Sequence, residues 1–227
     1  ESICNQAPGV LHQMNAMADD TDIRVRYQLA FSIGNAQAAS RNTTLTKLAQ
    51  SDVGETWMQL AILSSLGRGA DKVLTQLASD PNFTSEAAGL AFLKELCSQI
   101  GIRNRPHEVT AVIKTIESNA DLATPLIEAL VSKVQGEQRD ALLALTSGKA
   151  SDVLMKLVES AIASASNAEL EQAARIKAIE SLQLADFERT GELLDELLSV
   201  NESFEVKAVA VETLGEYTDS EVAQILL

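Results

Sequence analysis

The sequence has few of the residues that make turns and few aromatic side chains. Its 227 residues include only 11 glycines and 4 prolines, and aromatic residues make up 4%. An all-β domain needs a turn about every 8 to 12 residues, and such turns draw on glycine, proline, asparagine and aspartate. Alanine and leucine, which favour helices, are abundant instead. The composition therefore predicts an all-α fold.

Long apolar runs and an excess of basic residues are also missing. No stretch of about 20 apolar residues occurs, so we expect no helix that inserts into a membrane. The chain has 18 Lys and Arg residues and 32 Asp and Glu residues, which gives a net charge of −14. Because binding to phosphates needs a basic surface, this charge argues against a nucleic-acid partner.

Two cysteines, Cys4 and Cys97, are too few for a disulfide framework. Cys97 lies among Leu93, Leu96 and Ile100, which predicts a buried, inert thiol. The chain starts with Glu1 and ends on three apolar residues at 225–227. We expect from these ends a fragment of a longer polypeptide.

Apolar residues recur at helical spacing along most of the chain. The pattern of these residues also repeats over a longer distance. Val25-Arg26 is followed by Leu29, Ile33 and Gly34, and similar offsets recur 33 residues further on, from Met58. The pattern returns near the C-terminus, from Ala174 and again 32 residues later from Val206. Such a period favours stacked repeats over a bundle, because each helix pair needs its neighbours to bury its apolar face.

The sequence therefore predicts one domain over residues 1–227, an α-solenoid built as a superhelix of about six helix pairs plus an irregular helix at 106–117. Pairing is expected to be irregular around 103–149. The predicted repeats are 8–34, 43–67, 70–102, 122–148, 150–184 and 187–215, with a half repeat at 220–227.

A basic residue recurs early in the second helix of several repeats, at Arg26, Arg139, Arg175 and Lys207, with Gln59 as an exception. We expect these side chains to bind acidic residues of their own or the adjacent turn. They would form a structural ladder that fixes how repeats are oriented, and ligand binding is the alternative.

These residues resemble the HEAT-repeat family, whose helix pairs carry a proline in the first helix, an aspartate in the turn and Val-Arg in the second helix. Pro8, Asp19 and Val25-Arg26 match that pattern in the first repeat. The segments 25–34, 57–67 and 92–101 also look like the HEAT-like part of large bacterial multidomain proteins. In those, a dehydrogenase-like propeller domain precedes the repeats and a haem-c cytochrome domain follows.

That resemblance implies a cell-envelope or periplasmic location and redox chemistry in neighbouring domains; without it, a cytoplasmic location is expected. This chain has no Cys-x-x-Cys-His sequence for haem attachment. Its histidines, His12 and His107, are far apart, and no nucleophile elbow or phosphate loop occurs. The sequence predicts no catalytic, cofactor-binding or metal-ligating residues.

Arg24, Tyr27, Phe31 and Trp57 are candidates for a partner-binding patch. Tyr27 and Phe31 point away from the Val25 stripe, and aromatic and arginine residues are frequent interface anchors. The alternative is that solenoid helices bury two faces, which would place these side chains in the core.

The leading hypothesis for function is a non-catalytic protein-interaction or scaffold module within a larger protein, and its partner is another protein or a neighbouring domain. The main alternative is an enzyme-like HEAT domain similar to bilin lyases, which attach chromophores to acceptor proteins. A third hypothesis is self-association through the apolar ends.

Overall fold

The structure is a computed structural model that describes residues 8–36, 38–199 and 201–227. Within these ranges it contains fifteen α-helices, four short 3-10 helices and no strand, which confirms the all-α prediction. Cys4 lies outside the described residues. No helix in the described part of the chain combines the length and the apolar character needed to cross a bilayer.

Backbone contacts divide the chain into two compact units. One reaches to Lys133 and the other begins at Val134, so the boundary falls inside 103–149. The helices of the N-terminal unit are α1 (Pro8–Ala16), α2 (Ile23–Ser32), α3 (Ala38–Asp52), α4 (Thr56–Ser65), α5 (Ala70–Ala78), α6 (Pro81–Ser85), α7 (Ala87–Arg103), α8 (Pro106–Ser118) and α9 (Ala123–Val131). Those of the C-terminal unit are α10 (Gly136–Leu143), α11 (Gly148–Ser166), α12 (Gln172–Ser181), α13 (Phe187–Glu196), α14 (Phe204–Leu214) and α15 (Val222–Leu226).

Inside each unit, helices pack mainly against helices that are close in the chain. In the N-terminal unit α2 packs on α4, α3 on α5, α5 on α8 and α7 on α9. In the C-terminal unit α11 packs on α12, α13 packs on α14, and α12 packs on α14. This is the contact pattern of stacked helix pairs. The α-solenoid and the HEAT family remain predictions.

Most repeat-equivalent apolar positions are buried in both units; the exceptions are Val25, which is half-buried, and Ala174, which is exposed. The buried side chains, between 0% and 8% exposed, are Leu29, Ile33, Met58, Ile62, Leu66, Ala178, Leu182, Val206, Ala210 and Leu214. Cys97 is also buried, and the structure records its thiol as free. The period read from the sequence therefore marks the residues that form the core.

The start of α3 and the presence of α6 differ from the predicted repeats. Helix α3 begins at Ala38, before residue 43, where the second predicted repeat starts. A separate short helix, α6, begins at Pro81 inside the repeat predicted as one helix pair over 70–102. Asp80 caps α6 by accepting hydrogen bonds from the N–H groups of Asn82 and Phe83. The N–H groups of the first helical turn have no partner within the helix, so the missing N–H of proline costs nothing there. Proline can therefore start a helix as well as follow one.

Candidate functional site

Four large side chains form what we call the aromatic face: Tyr27 and Phe31 on α2, and Trp57 and Leu60 on α4. Trp57 is 71% exposed, Leu60 53% and Phe31 42%, while Tyr27 is half-buried. Helix α2 packs directly on α4. Tyr27 and Leu60 occupy equivalent positions of two predicted repeats, 33 residues apart, so we expect their side chains on the same side of the packed pair.

Two of these side chains support each other. The rings of Tyr27 and Phe31 lie one helical turn apart and meet edge to face, with their centroids 5.1 Å apart. Such pairs are stabilised by more than the area that they bury. The contact holds both rings in place on the surface of α2 without removing Phe31 from solvent.

Arg24, the fourth residue predicted for the patch, is engaged with its own helix end. Asp22 caps α2 by accepting a hydrogen bond from the Arg24 N–H at 2.9 Å. The Arg24 guanidinium donates Nη2–H to Oδ2 of Asp22 at 2.7 Å, and this bond helps lower the pKa of Asp22 to about 2. Its side chain is 87% exposed, so the pair lies at the surface.

A groove of about 680 Å³ lies beside Arg24, between α1 and α2. Its apolar lining comes from Met14, Met17, Val25 and Leu29. The groove is open to solvent, and Asp22 and Arg24 also contribute to its lining. The structure thus places the aromatic face and an apolar groove next to each other along α2.

Arg26 and Arg175 of the basic series bridge repeats in the same way. Arg26 binds both carboxylate oxygens of Asp52 and the backbone carbonyl of Asp20. Arg175 binds both oxygens of Glu202, with Nη1 and Nη2 at 2.9 and 2.8 Å. It also donates to the carbonyl of Ala165. Arg26 therefore joins the turn before α2, and Arg175 the end of α11, to a carboxylate 26 or 27 residues further along.

The other members of the series differ. Arg139 binds its sequence neighbour Asp140 and lies over the ring of Tyr217, with its Cζ 5.6 Å from the centroid. Lys207 lies near Glu202 and helps to lower the pKa of that carboxyl. Gln59, the exception in the sequence, donates to the carbonyl of Val53 at 2.6 Å. Arg26 makes the equivalent bond to the carbonyl of Asp20, and in both cases the acceptor lies six residues before the donor.

The loop between α4 and α5 is held by three arginines. Arg103 donates to the Leu66 carbonyl at 2.7 Å and Arg105 to the Gly67 carbonyl at 2.8 Å. The third, Arg41, donates to the carbonyl of Arg68. The loop then turns into α5 at Gly69, whose φ of 95° suits glycine.

This loop sets the start of α5 beside the start of α8, where three possible metal ligands meet. Asp71, His107 and Glu108 each offer one ligand atom, and these atoms all lie within 4.8 Å of one another. Sequence reasoning missed this cluster because Asp71 lies 36 residues before His107, and no possible ligand stands three or four positions from His107 on its own helix. The only signal was an acidic residue in the first turn of each of two helices.

No family model, curated protein or solved structure matches this chain. Its function is therefore argued from the geometry of these surfaces.

Proposed function

We propose that this chain is a non-catalytic protein-interaction module that binds a partner protein through the aromatic face. The observation that carries the proposal is the exposure of Trp57, Phe31 and Leu60 on two helices that pack on each other. Three of the eight aromatic residues of the chain belong to this face. Tryptophan and tyrosine are the side chains on which protein interfaces most often depend.

The repeats of the C-terminal unit provide an internal comparison. The positions equivalent to Arg24, Tyr27 and Phe31 are occupied there by small, aliphatic or acidic residues, namely Ala173, Ile176 and Glu180 on α12 and Glu205, Ala208 and Glu212 on α14. Helices α12 and α14 still pack on each other. Packing between repeats therefore does not require aromatic side chains at these positions, which favours a role in binding.

The charges around the face favour an apolar contact over an ionic one. Arg24 is the cation of the predicted patch, and its guanidinium already binds Asp22. A partner that covers Trp57 and Phe31 would gain about 25 cal/mol for each Å² of apolar surface removed from water. We infer that the partner presents an apolar segment, such as one face of an amphipathic helix.

The proposal is tested by comparing variants in a capture experiment followed by direct binding. The tagged chain, its Trp57→Ala variant and its Phe204→Ala variant are used to recover proteins from cells of the source organism. Phe204 is a matched control because it is 82% exposed and lies on α14, outside the face. A partner recovered by the wild-type chain is then purified and titrated against each variant.

We expect Trp57→Ala to weaken binding about 30-fold or more, which corresponds to a loss of about 2 kcal/mol. Phe204→Ala should bind like the wild-type chain. Equal affinity of all three proteins would overturn the proposal. Incubation with a bilin and an acceptor protein separates the enzyme-like alternative, because a lyase would produce a covalent adduct with visible absorbance.

A further inference from the structure

The cluster of Asp71, His107 and Glu108 has the composition of a metal site. Asp71 is the second residue of α5, and His107 and Glu108 are the second and third residues of α8. Because α5 packs on α8, residues 36 positions apart in the sequence meet. One imidazole nitrogen and two carboxylate oxygens are ligands that zinc accepts in proteins.

Glu108 supplies an independent sign that a cation belongs here. Its side chain is 0% exposed. Oε1 accepts a hydrogen bond from Nη1 of Arg105 at 3.3 Å, whereas Oε2 is buried and has no hydrogen-bond partner among the described residues. Folded proteins rarely leave a buried carboxylate oxygen unpaired, because it has lost its water without a replacement.

We propose that Asp71, His107 and Glu108 bind one divalent transition-metal ion of the Zn²⁺ type. The ion gives Oε2 of Glu108 its missing partner, while Arg105 keeps its bonds to Oε1 and to the Gly67 carbonyl. Three protein ligands leave a fourth tetrahedral position for water or for a ligand from a partner. Mg²⁺ and Ca²⁺ fit this site poorly, since they require six or more oxygen ligands.

The surroundings of the cluster allow the ion to enter and to bind. His107 is exposed, so its imidazole can turn towards the two carboxylates. The three ligand atoms lie within 4.8 Å of one another, so the two carboxylates must also draw closer together to reach the spacing of about 3.3 Å that tetrahedral zinc requires. Asp71 is buried, and its nearest cation is Lys72, whose Nζ lies 3.6 Å from Oδ2 on a side chain that is 73% exposed. The amine of Lys72 can move into solvent when the metal ion binds.

Co²⁺ is the probe for the test, because its visible absorption reports both binding and coordination geometry. The full chain, treated with a chelator, is titrated with Co²⁺ and then with Zn²⁺ as a competitor. We expect one Co²⁺ per chain, a tetrahedral or five-coordinate spectrum, and displacement by one equivalent of Zn²⁺. Displacement by equimolar Mg²⁺ or Ca²⁺, or the absence of saturable one-to-one binding, would overturn the proposal.

The variants identify the ligands. His107→Ala and Glu108→Gln should each weaken Co²⁺ binding at least about 10-fold. His12→Ala is the matched control, since it removes the other exposed imidazole of the chain, on α1. Unchanged binding in His107→Ala, or equal loss in His12→Ala, would refute the site. His107 is at the surface, so this variant decides the question even if Glu108→Gln fails to fold.

The metal site and the aromatic face are independent. They lie on different helix pairs, α5 with α8 and α2 with α4, and neither proposal rests on the other. Trp57→Ala should therefore leave Co²⁺ affinity unchanged, and His107→Ala should leave the affinity for a protein partner unchanged when the metal ion is absent.

Discussion

Arg26 and Asp52 form a two-pronged ion pair between residues 26 positions apart. Nε of Arg26 lies 2.7 Å from Oδ2 of Asp52, and Nη2 lies 2.5 Å from Oδ1. Nη1 donates to the carbonyl of Asp20 at 2.6 Å. The arginine thus ties the start of α2 to the end of α3 and to the turn before α2, which sets the angle between the helices.

The first prediction concerns the stability that this pair contributes. The side chains of Arg26 and Asp52 are only 16% and 6% exposed. Removing one partner leaves a charge in a partly buried place, so Arg26→Ala should lower the free energy of unfolding by about 3 kcal/mol. Urea unfolding followed by circular dichroism measures this, because loss of helix gives a large signal, whereas Trp57 is already 71% exposed in the folded protein.

Arg24→Ala is the control for this prediction. It removes a cation two residues away whose ion pair with Asp22 lies in solvent. Exposed pairs contribute little, so the free energy of unfolding should change by less than about 1 kcal/mol. If both substitutions lowered the free energy of unfolding equally, the burial of the Arg26–Asp52 pair would contribute nothing extra to stability, and the prediction would be wrong.

The second prediction concerns the pH dependence of the equivalent pair in the C-terminal unit. Hydrogen bonds from Arg175 hold the pKa of Glu202 below its ordinary value of 4.5. A carboxyl with a lowered folded-state pKa stabilises the protein fully above its unfolded pKa, and this contribution is lost as the pH falls through the folded-state value. Glu202→Gln should therefore be less stable than the wild-type chain at pH 7, and the difference should shrink steadily below about pH 4.5.

The measurement is chemical unfolding of both proteins across this pH range, followed by circular dichroism. Glu159→Gln serves as the control, because Glu159 is an exposed residue of α11 in the same unit. Its effect on the free energy of unfolding should be small at every pH. A Glu202→Gln effect that stays constant down to pH 3 would contradict the linkage.

The third prediction compares two glycines of the loop between α4 and α5. Gly69 has a φ of 95°, and a Cβ on it would lie 2.2 Å from Nδ2 of Asn42. Gly67 has open space around the same position. Gly69→Ala should therefore destabilise the protein by about 2 kcal/mol, while Gly67→Ala should have little effect. Thermal unfolding of the two variants tests this, and similar melting temperatures would contradict it.

The fourth prediction concerns the reactivity of Cys97. Its side chain is 0% exposed, and burial raises the pKa of its thiol. Only a thiolate that meets solvent reacts readily, so modification must wait for the protein to open. In a Cys4→Ser background, Cys97 should react with a disulfide reagent at least about 1000-fold more slowly in native buffer than in urea. Rapid modification of the folded protein would show that the core around α7 opens easily.

The period of the sequence identified most of the buried positions, such as Leu29, Ile62 and Ala210. The separate helix at Pro81 was missed, because a proline can end one helix or begin the next. The sequence also could not decide whether Phe31 and Trp57 are exposed or buried. A helix inside a stack has two sides that can be covered, and only the positions of its neighbours show which side stays in solvent.

The amino-acid sequence by itself determined that the chain is helical and most of the apolar positions that its repeat helices bury, since both depend on spacing within a few residues. Only the tertiary structure decided which distant side chains meet. The ion pair of Arg26 with Asp52 and the cluster of Asp71, His107 and Glu108 join residues 26 to 37 positions apart. Such contacts require side-chain atoms to come within a few ångströms, and that depends on how whole helices pack.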